Sequence, residues 1–210
     1  MDDTTTQDPK QHWEEHYGQR AQIWSGRVNA RLAEIAGPLT PGTALDLGSG
    51  EGGDAVWLAE QGWQVTAVDI SDTALQRGAA AAQSRGLADR ITFVGHDLSD
   101  YTPQDSFDLI SAQFLHSMLP FDRPAILKRA ADAVRPGGVL LIVDHAGPPP
   151  WASKLHHHHE FPSADEVVRS LNLPDTQWET VRAEAAEREA VGPDGQTGML
   201  TDNVIVLRRR

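Results

Sequence analysis

Residues 43–54 read TALDLGSGEGGD, and residues 55–60 continue as AVWLAE. The stretch begins as a short apolar run, passes through four glycines within residues 48–53, and leads into a sequence typical of a helix. Glycine tolerates positive φ angles and has no Cβ atom to block a close approach. The helix that follows turns its free N–H groups back towards the glycines. This stretch therefore predicts a strand, a glycine turn and a helix that bring a ligand against bare backbone.

A second apolar run, residues 65–69, ends in Asp69, about 20 residues beyond the start of the glycine turn. A carboxylate at that point is placed to accept hydrogen bonds from the hydroxyls of a ribose. The two runs together predict a cofactor that contains a nucleoside and is bound across the glycine turn. They leave the identity of that cofactor open.

Composition narrows the class of protein. The chain has 210 residues, enough for one α/β domain with a substantial core. Its net charge is −12 and its basic cluster is confined to 208–210, so a nucleic acid is not the expected partner. The chain contains no cysteine, which excludes disulfides, thiolate nucleophiles and zinc held by cysteine.

The N-terminal residues are acidic and polar and lack the apolar core of a secretory signal. No apolar run approaches the roughly 20 residues that are needed to cross a bilayer. We therefore expect a cytoplasmic protein without a membrane partner. Residues 1–10 are predicted to be disordered.

The chain alternates between segments predicted as strands and segments predicted as helices. The predicted strands are 43–47, 64–69, 91–94, 107–112 and 139–143, and the predicted helices are 29–36, 53–61, 72–85 and 122–135. Such an alternation implies a parallel sheet with right-handed crossovers. Ser71 is predicted to cap the helix over 72–85. After the alternation, a capping box at 163–166 predicts a short helix over 164–171. Two extended candidates, 176–188 and 200–207, are joined by a hairpin signal at 192–195.

The spacing of Gly48, Gly50 and Gly53 fits the dinucleotide fingerprint, which taken alone is a weak signal. Three observations argue against a nicotinamide cofactor. Asp46 lies just before the turn, where like charges would repel a pyrophosphate and a cationic ligand is better suited. One domain leaves little room for a separate substrate domain. The final order of loop, short helix and hairpin is not the usual dinucleotide-binding layout.

Residues 45–52, LDLGSGEG, resemble motif I of the class I S-adenosylmethionine-dependent methyltransferases. Later features match that family in order and spacing: Asp69 at the end of the second strand, Asp97-Leu98 beside the adenine, 107–110 in the fourth strand and 135–138 before the fifth. The resemblance covers about 43–145. The whole chain resembles the small bacterial methyltransferases of the tellurite-resistance and thiopurine group.

The resemblance implies an α/β fold in a single domain over 1–210. Its sheet would be a Rossmann-like, doubly wound, seven-stranded one of order 3-2-1-4-5-7-6, with the last strand antiparallel. It also implies S-adenosylmethionine as cofactor and in-line methyl transfer to a small-molecule acceptor. Residues 11–36 would form a lid, and 145–162 a loop beside the substrate. A nicotinamide-dependent oxidoreductase, or a non-catalytic cofactor-binding or metal-responsive protein on the same fold, are the alternatives.

The resemblance also gives roles to individual residues. Asp46 would lie near the methionine ammonium, Asp69 would bind the ribose, and Asp97 would lie near the adenine amine. Tyr17 and Arg27 would join the lid. The predicted cofactor-binding residues are Trp24, Asp46, Gly48, Gly50, Asp69, Ile70, Asp97, Leu98 and Gln113.

Histidines supply the candidates for further chemistry. His116 and His145 are the candidate general bases, and a base is needed only if the acceptor carries a proton to lose. The run at 156–159 raises the possibility of a metal site, for which the alternate residues His156 and His158 could converge. No acid or cysteine spacing completes such a site. We therefore expect no metal and assign the run to the loop over the substrate pocket.

Overall fold

The computed structural model describes residues 8–117, 119–151, 161–192 and 195–210. Its helices and strands, in chain order, are α1 (Pro9–Gly18), α2 (Ala30–Ala36), β1 (Thr43–Leu47), α3 (Gly53–Glu60), β2 (Gln64–Asp69), α4 (Asp72–Ser84), β3 (Ile91–Gly95), β4 (Phe107–Gln113), α5 (Arg123–Asp132), β5 (Val134–His145), α6 (Ala164–Leu171), β6 (Trp178–Val191) and β7 (Thr197–Arg209). No helix in these ranges is long and apolar enough to cross a membrane.

Seven strands in the described part of the chain form one sheet of order β3-β2-β1-β4-β5-β7-β6. Strands β1 to β5 pair in parallel. Strand β7 runs antiparallel to both β5 and β6. The predicted fold class and strand order are therefore confirmed, and so is the antiparallel last strand.

The predicted caps are confirmed at two helices. The Ser71 side chain accepts a hydrogen bond from the Ala74 amide at the start of α4. Ser163 and Glu166 exchange side-chain and backbone hydrogen bonds at the start of α6. Such reciprocal capping satisfies donors that the first turn of a helix leaves unpaired.

The prediction of disorder over 1–10 is wrong at its end, because α1 begins at Pro9; residues 1–7 lie outside the described residues. The Asp8 side chain caps this helix by accepting from the Lys10 amide. Lys10 also pairs with Asp72 at 2.8 Å. The start of α1 is therefore held by a contact with α4. The two helices are far apart in the sequence, so no local pattern indicates this contact.

The predicted helix over 122–135 is too long, since α5 ends at Asp132 and β5 begins at Val134. Val134 lies opposite Phe107, whereas Val139 lies opposite Leu109, so β5 carries extra residues at this point. Residues 136–138, predicted to precede the fifth strand, instead lie within β5 and form this irregularity. Its two glycines permit the local bend.

The central parallel strands β1, β4 and β5 are buried on both faces, as parallel strands in such a sheet usually are. One apolar cluster contains Leu45, Leu47 and side chains of α5 and α6; the other contains Ala44 and side chains of α2 and α3. Because side chains alternate along a strand, Asp46 lies on the same face as Ala44, towards α3. The carboxyl ends of the parallel strands meet at one edge, where open α/β sheets bind ligands.

Helix α4 approaches the glycine turn closely at Gly78. A Cβ atom on Gly78 would lie 2.7 Å from Cε1 of Phe93 and 3.3 Å from the carbonyl oxygen of Glu51. A Cβ atom on Gly52 would in turn lie 3.1 Å from the Cα of Gly78. The absence of side chains on both residues allows α4 to lie against the turn.

We predict that Gly78→Ala lowers the free energy of unfolding by about 1–3 kcal/mol, because the added methyl group overpacks this contact. Helix propensity alone would instead raise it by about 1 kcal/mol. Urea denaturation measures the difference. Gly18→Ala in α1, where a Cβ meets nothing within 4 Å, is the control and should change little. Equal or greater stability of Gly78→Ala would contradict the assigned contact.

Candidate active site

A cavity of about 670 Å³ opens at the carboxyl ends of β1, β2 and β4. Pockets for small ligands typically measure about 300–1,000 Å³. The cavity is lined by every residue predicted to bind the cofactor, namely Trp24, Asp46, Gly48, Gly50, Asp69, Ile70, Asp97, Leu98 and Gln113. Both candidate bases, His116 and His145, also line it, as do Tyr17 and Arg27 of the predicted lid. The structure thus brings these residues together, while their individual roles stay predictions.

The glycine turn is fixed to the end of β2 by backbone hydrogen bonds. The amides of Gly48 and Ser49 both donate to the carbonyl oxygen of Val68, at 2.9 and 3.0 Å. Gly50 has a φ angle of 52°, and a Cβ atom there would lie 2.8 Å from the Tyr17 hydroxyl oxygen. A larger residue at this position would therefore be strained and would also collide with Tyr17.

Asp69 is buried at the end of β2, and its two oxygens accept from different amides. Oδ2 accepts from Gly50 at 2.8 Å and Oδ1 from Ser71 at 2.9 Å. Burial raises the pKa of Asp69, and these backbone donors partly offset that rise. A carboxylate oxygen can accept a second hydrogen bond, so both oxygens keep acceptor capacity for a diol such as a ribose.

Asp46 is 2% exposed, and its Oδ2 atom has no hydrogen-bond partner among the described residues. Burial raises its pKa well above the ordinary value, and the neighbouring carboxyls of Asp54 and Asp69 raise it further. An unpaired carboxylate in such surroundings is costly unless a cation or donor reaches it. The site therefore fits a ligand that brings a positive group, as the ammonium of S-adenosylmethionine would.

Asp54, in the first turn of α3, was not singled out by the sequence. Its carboxylate accepts hydrogen bonds from the Asn29 amide at 2.7 Å and from Asn29 Nδ2 at 3.0 Å. Burial raises the pKa of Asp54, whereas these donors lower it. The contact fixes the start of α2 beside the cavity.

Glu51 is a second residue that sequence reasoning missed. Its carboxylate accepts from the amides of Ile23 and Trp24 and pairs with Arg77 at 2.8 Å. Arg77 in turn donates to the carbonyl oxygens of Tyr17 and Arg20. The acid of the glycine turn thus fastens the N-terminal segment over the cavity. Its place in the glycine turn, within LDLGSGEG, marked Glu51 as a residue close to the ligand. Nothing in the neighbouring sequence indicates that its carboxylate binds the amides of the N-terminal segment.

Two aromatic side chains of that segment meet above the turn. Tyr17 is 4% exposed, and its hydroxyl accepts a hydrogen bond from Trp24 Nε1 at 3.2 Å. Burial raises the pKa of Tyr17, so the phenol stays protonated. The indole of Trp24 remains 54% exposed. These residues are positioned to cover a ligand at Gly50.

The opposite end of the cavity begins after β4. The Gln113 Oε1 atom is buried without a hydrogen-bond partner among the described residues. Phe114 follows with a φ angle of 50°, a strained conformation for a bulky residue. Its amide donates to Val143, and its ring lies 4.4 Å from that of His145. His116 stacks on His145 with ring centroids 6.3 Å apart.

Asp144 lies beneath these two imidazoles and was also missed. Both of its oxygens accept from Arg123 Nη2, at 2.5 and 2.6 Å. The nearer oxygen, Oδ1, is 3.7 Å from Nε2 of His116. Burial raises the pKa of Asp144, and the charge of Arg123 opposes that rise. Residues 123 and 144 come together only through the pairing of α5 with β5, so no local pattern marks them.

The candidate metal ligands His156 and His158 lie outside the described residues. Elsewhere in the described ranges, no group of three or more histidine, cysteine, aspartate or glutamate side chains could hold a metal ion. The expectation of no metal therefore stays a prediction for the histidine run.

Comparison with known sequences identifies methyltransferases. A family model described as a methyltransferase domain matches residues 44–138. Thiocyanate methyltransferase 1 of Brassica oleracea is 32% identical over 148 residues, which is 66% of this chain and 66% of that protein. The 2-heptyl-1-hydroxyquinolin-4(1H)-one methyltransferase of Mycobacteroides abscessus is 33% identical over 131 residues, 60% of this chain and 57% of that protein. The chain thus spans less than two thirds of each relative, 66% of the first and 57% of the second.

Solved structures share the fold. TehB from Haemophilus influenzae aligns with a TM-score of 0.71 and 19% identity, over 94% of this chain and 67% of that one. The N-methyltransferase NodS from Bradyrhizobium japonicum, in complex with S-adenosyl-L-homocysteine, aligns with a TM-score of 0.70 and 16% identity, over 96% and 99%. At these identities the likeness concerns the fold.

We predict that Asp46→Asn stabilises the ligand-free protein at pH 7 by on the order of 1–2 kcal/mol, as relief of an unfavourable functional group can do. The pKa of Asp46 is raised in the folded state, so the cost of its charge grows as the pH rises from the ordinary pKa of an aspartate to the raised one and is constant above that. The advantage of the asparagine should therefore shrink as the pH falls through this window and disappear below the ordinary pKa.

Urea denaturation at pH 7 and near pH 4 measures both effects. Asp89→Asn, an exposed acid at the far end of β3, is the matched control for the loss of one charge. A variant that is less stable than the wild type at pH 7 would show that Asp46 is not an unsatisfied charge.

Proposed function

Because this chain belongs to the class I S-adenosylmethionine-dependent methyltransferases, we propose that it transfers a methyl group to a small-molecule acceptor. The predicted cofactor, S-adenosylmethionine, follows from the family. The observation that carries the proposal is Asp46, a buried carboxylate beside the glycine turn whose Oδ2 atom has no hydrogen-bond partner among the described residues. A pyrophosphate would meet three acids there, Asp46, Asp54 and Asp69, so the nicotinamide alternative has no support.

Each residue at the turn binds a different part of the cofactor in this proposal. Asp46 receives the ammonium of the methionine moiety, and Asp69 accepts hydrogen bonds from the ribose hydroxyls. Ile70 and Leu98 present apolar surface to the adenine, with Asp97 near its amine. Tyr17 and Trp24 close over Gly50 and keep water from the bound ligand.

Bound S-adenosylmethionine supplies a methyl group on a positively charged sulfur, which needs no further activation. The chain then contributes mainly alignment, by holding the acceptor in line with the methyl group at about 3–3.5 Å. The acceptor end of the cavity, formed by Gln113, residues 114–117 and 119–121, and His145, has aromatic and imidazole walls. Such walls suit a compact, partly apolar acceptor better than a polynucleotide.

The acceptor itself is proposed only as a class. The names of the two relatives specify thiocyanate and a hydroxyquinolinone, both of them small molecules. Thiols, amines, phenols and metalloid oxyanions are the candidates. The metal-responsive alternative rests on His156 and His158, and a cytoplasmic location likewise stays a prediction.

A screen of acceptors tests the proposal. The full chain is incubated with S-adenosylmethionine and each acceptor, with and without divalent metal, and the release of S-adenosylhomocysteine is measured. We expect release with at least one small acceptor, independent of metal. Binding of the cofactor without release on any acceptor would instead favour a non-catalytic protein.

We further predict that Asp46→Asn weakens binding of S-adenosylhomocysteine at pH 7 by about tenfold or more, because a charge-assisted hydrogen bond is lost. In the wild type, binding should weaken as the pH falls through the raised pKa of Asp46, since the protonated carboxyl no longer attracts the ammonium. The variant should show a flatter pH dependence over that range.

Isothermal titration calorimetry of the wild type, Asp46→Asn and the Asp89→Asn control measures these affinities. Unchanged affinity in Asp46→Asn at pH 7 would remove Asp46 from the binding site. A loss of affinity in Asp89→Asn would show that net charge, and not the local contact, governs binding.

A further inference from the structure

A buried ion pair supports one of the two histidines at the acceptor end. The side chain of Asp144 is 2% exposed and that of Arg123 13%, and one guanidinium nitrogen, Nη2, reaches both carboxylate oxygens. The side chain of His116 is 35% exposed and turns Nε2 towards the same carboxylate, at 3.7 Å. The cofactor-binding roles proposed above involve neither Arg123 nor Asp144. Those roles therefore do not explain why this ion pair is buried beside His116.

The physical effects of the two charges on an imidazole are opposite. A carboxylate within about 4–6 Å favours the protonated ring, whereas a guanidinium nearby disfavours it. Asp144 alone would stabilise the charged ring and so make His116 a weaker acceptor of a second proton. Arg123, paired to Asp144, reduces that effect, while the carboxylate still lies beside the imidazolium that forms during proton transfer.

We propose that Asp144 and Arg123 are positioning residues for His116, and that the methyl acceptor is a protic nucleophile, namely an aromatic hydroxyl or a thiol, whose proton His116 receives. This inference rests on the methyl transfer proposed above. Asp144 Oδ1 lies 3.7 Å from Nε2, beyond hydrogen-bond distance, and acts on the ring through its charge. Arg123 holds Asp144 in place and sets its charge.

The step balances in atoms and charge. The acceptor lone pair forms the new bond to the methyl carbon as the carbon–sulfur bond of the donor breaks and its electron pair returns to sulfur. The acceptor proton passes to the imidazole of His116, which becomes an imidazolium beside Asp144. The proton is later released to solvent through the exposed part of the ring.

Other charged groups surround the imidazole. His145 at the end of β5 stacks on it, and Phe114 separates His145 from Arg188 of β6, whose guanidinium lies 5.9 Å from the phenyl centroid. Arg188 is paired with the buried Asp202 of β7 at 2.5 Å, and Arg31 of α2 lies 3.6 Å from the same carboxylate. The acids Asp46 and Asp69 line the cofactor side of the same cavity. Asp144 is the carboxylate that faces Nε2 directly.

The aromatic walls and the base together argue for the acceptor class. Phe114 and Phe121 line the acceptor end, where a planar ring or an apolar thiol can pack. An acceptor that is permanently anionic has no proton to lose and gains nothing from a base. A base backed by a carboxylate is useful only for an acceptor that carries an ionisable proton near neutral pH.

Titration of the His116 ring by NMR tests the arrangement in the full chain without any acceptor. His116→Gln identifies the signal by its loss. We expect Asp144→Asn to lower the midpoint by about one pH unit and Arg123→Gln to raise it by a similar amount. The double variant, which leaves no buried charge, should return near the wild-type value. A purely structural role would not move the midpoint in opposite directions.

Lys128→Gln, which removes an exposed positive charge from the same helix, is the matched control and should leave the midpoint unchanged. Midpoints that stay in place, or that move in the same direction in Asp144→Asn and in the double variant, would overturn the assignment. The Arg123→Gln variant leaves the buried carboxylate of Asp144 without its partner and is the variant most prone to unfold. If it does not fold, the midpoint of Asp144→Asn is compared with that of the double variant instead.

Turnover supplies the second arm, with thiophenol and 1-hydroxyquinolin-4(1H)-one as protic probes and thiocyanate as the aprotic one. We expect transfer to a protic probe, with the acidic limb of kcat/KM moving down in Asp144→Asn. Transfer to thiocyanate alone would overturn the acceptor class while leaving methyl transfer intact. Failure to bind S-adenosylhomocysteine at all would instead overturn the proposed function. The NMR midpoints are measured without cofactor or acceptor, so they test the effect of Asp144 and Arg123 on His116 independently of both results.

Discussion

The buried carboxylate of Asp46 is the constraint around which the rest of the structure is arranged. The alternation of β1 sends Leu45 and Leu47 into one core and turns Asp46 towards α3, where Asp54 and Asp69 are its neighbours. One of its oxygens finds no partner among the described residues. A site that holds a charge at such cost is prepared for a ligand and not for stability. The glycine turn allows that ligand to approach, because Gly50 has neither side chain nor strain in its backbone.

Around this site the chain places two different surfaces. The end of the cavity at the glycine turn is lined by acids, and Glu51 and Arg77 fasten the N-terminal segment beside it. The other end carries two imidazoles near the ion pair of Asp144 and Arg123. In the proposed function, the first end binds the positively charged donor and the second binds an acceptor that loses a proton. The fold alone does not dictate this division, since proteins with the same architecture perform different reactions.

The sequence predicted what depends on short stretches of chain. The strand, glycine turn and helix at 43–60, the cap at Ser71 and the capping box at 163–166 are local signals, and the structure confirms them. The order of the sheet came from the family resemblance. The predicted cofactor residues all line one cavity because the carboxyl ends of parallel strands meet at one edge.

The sequence did not predict what depends on contacts between distant residues. Glu51 holds the amides of Ile23 and Trp24, 28 and 27 positions away. Arg123 and Asp144 meet only when α5 packs on β5, and the strained backbone of Phe114 has no signature in composition. The start of β5 at Val134 was missed for the same reason. Helical propensity there yields to strand pairing, which a local pattern cannot report.

Competitive binding tests most directly which ligand binds at the glycine turn. Isothermal titration calorimetry of the full chain with S-adenosylhomocysteine, and separately with NAD, needs no knowledge of the acceptor. We predict saturable one-to-one binding of S-adenosylhomocysteine that NAD does not displace. Binding of NAD in its place, with no affinity for S-adenosylhomocysteine, would contradict it.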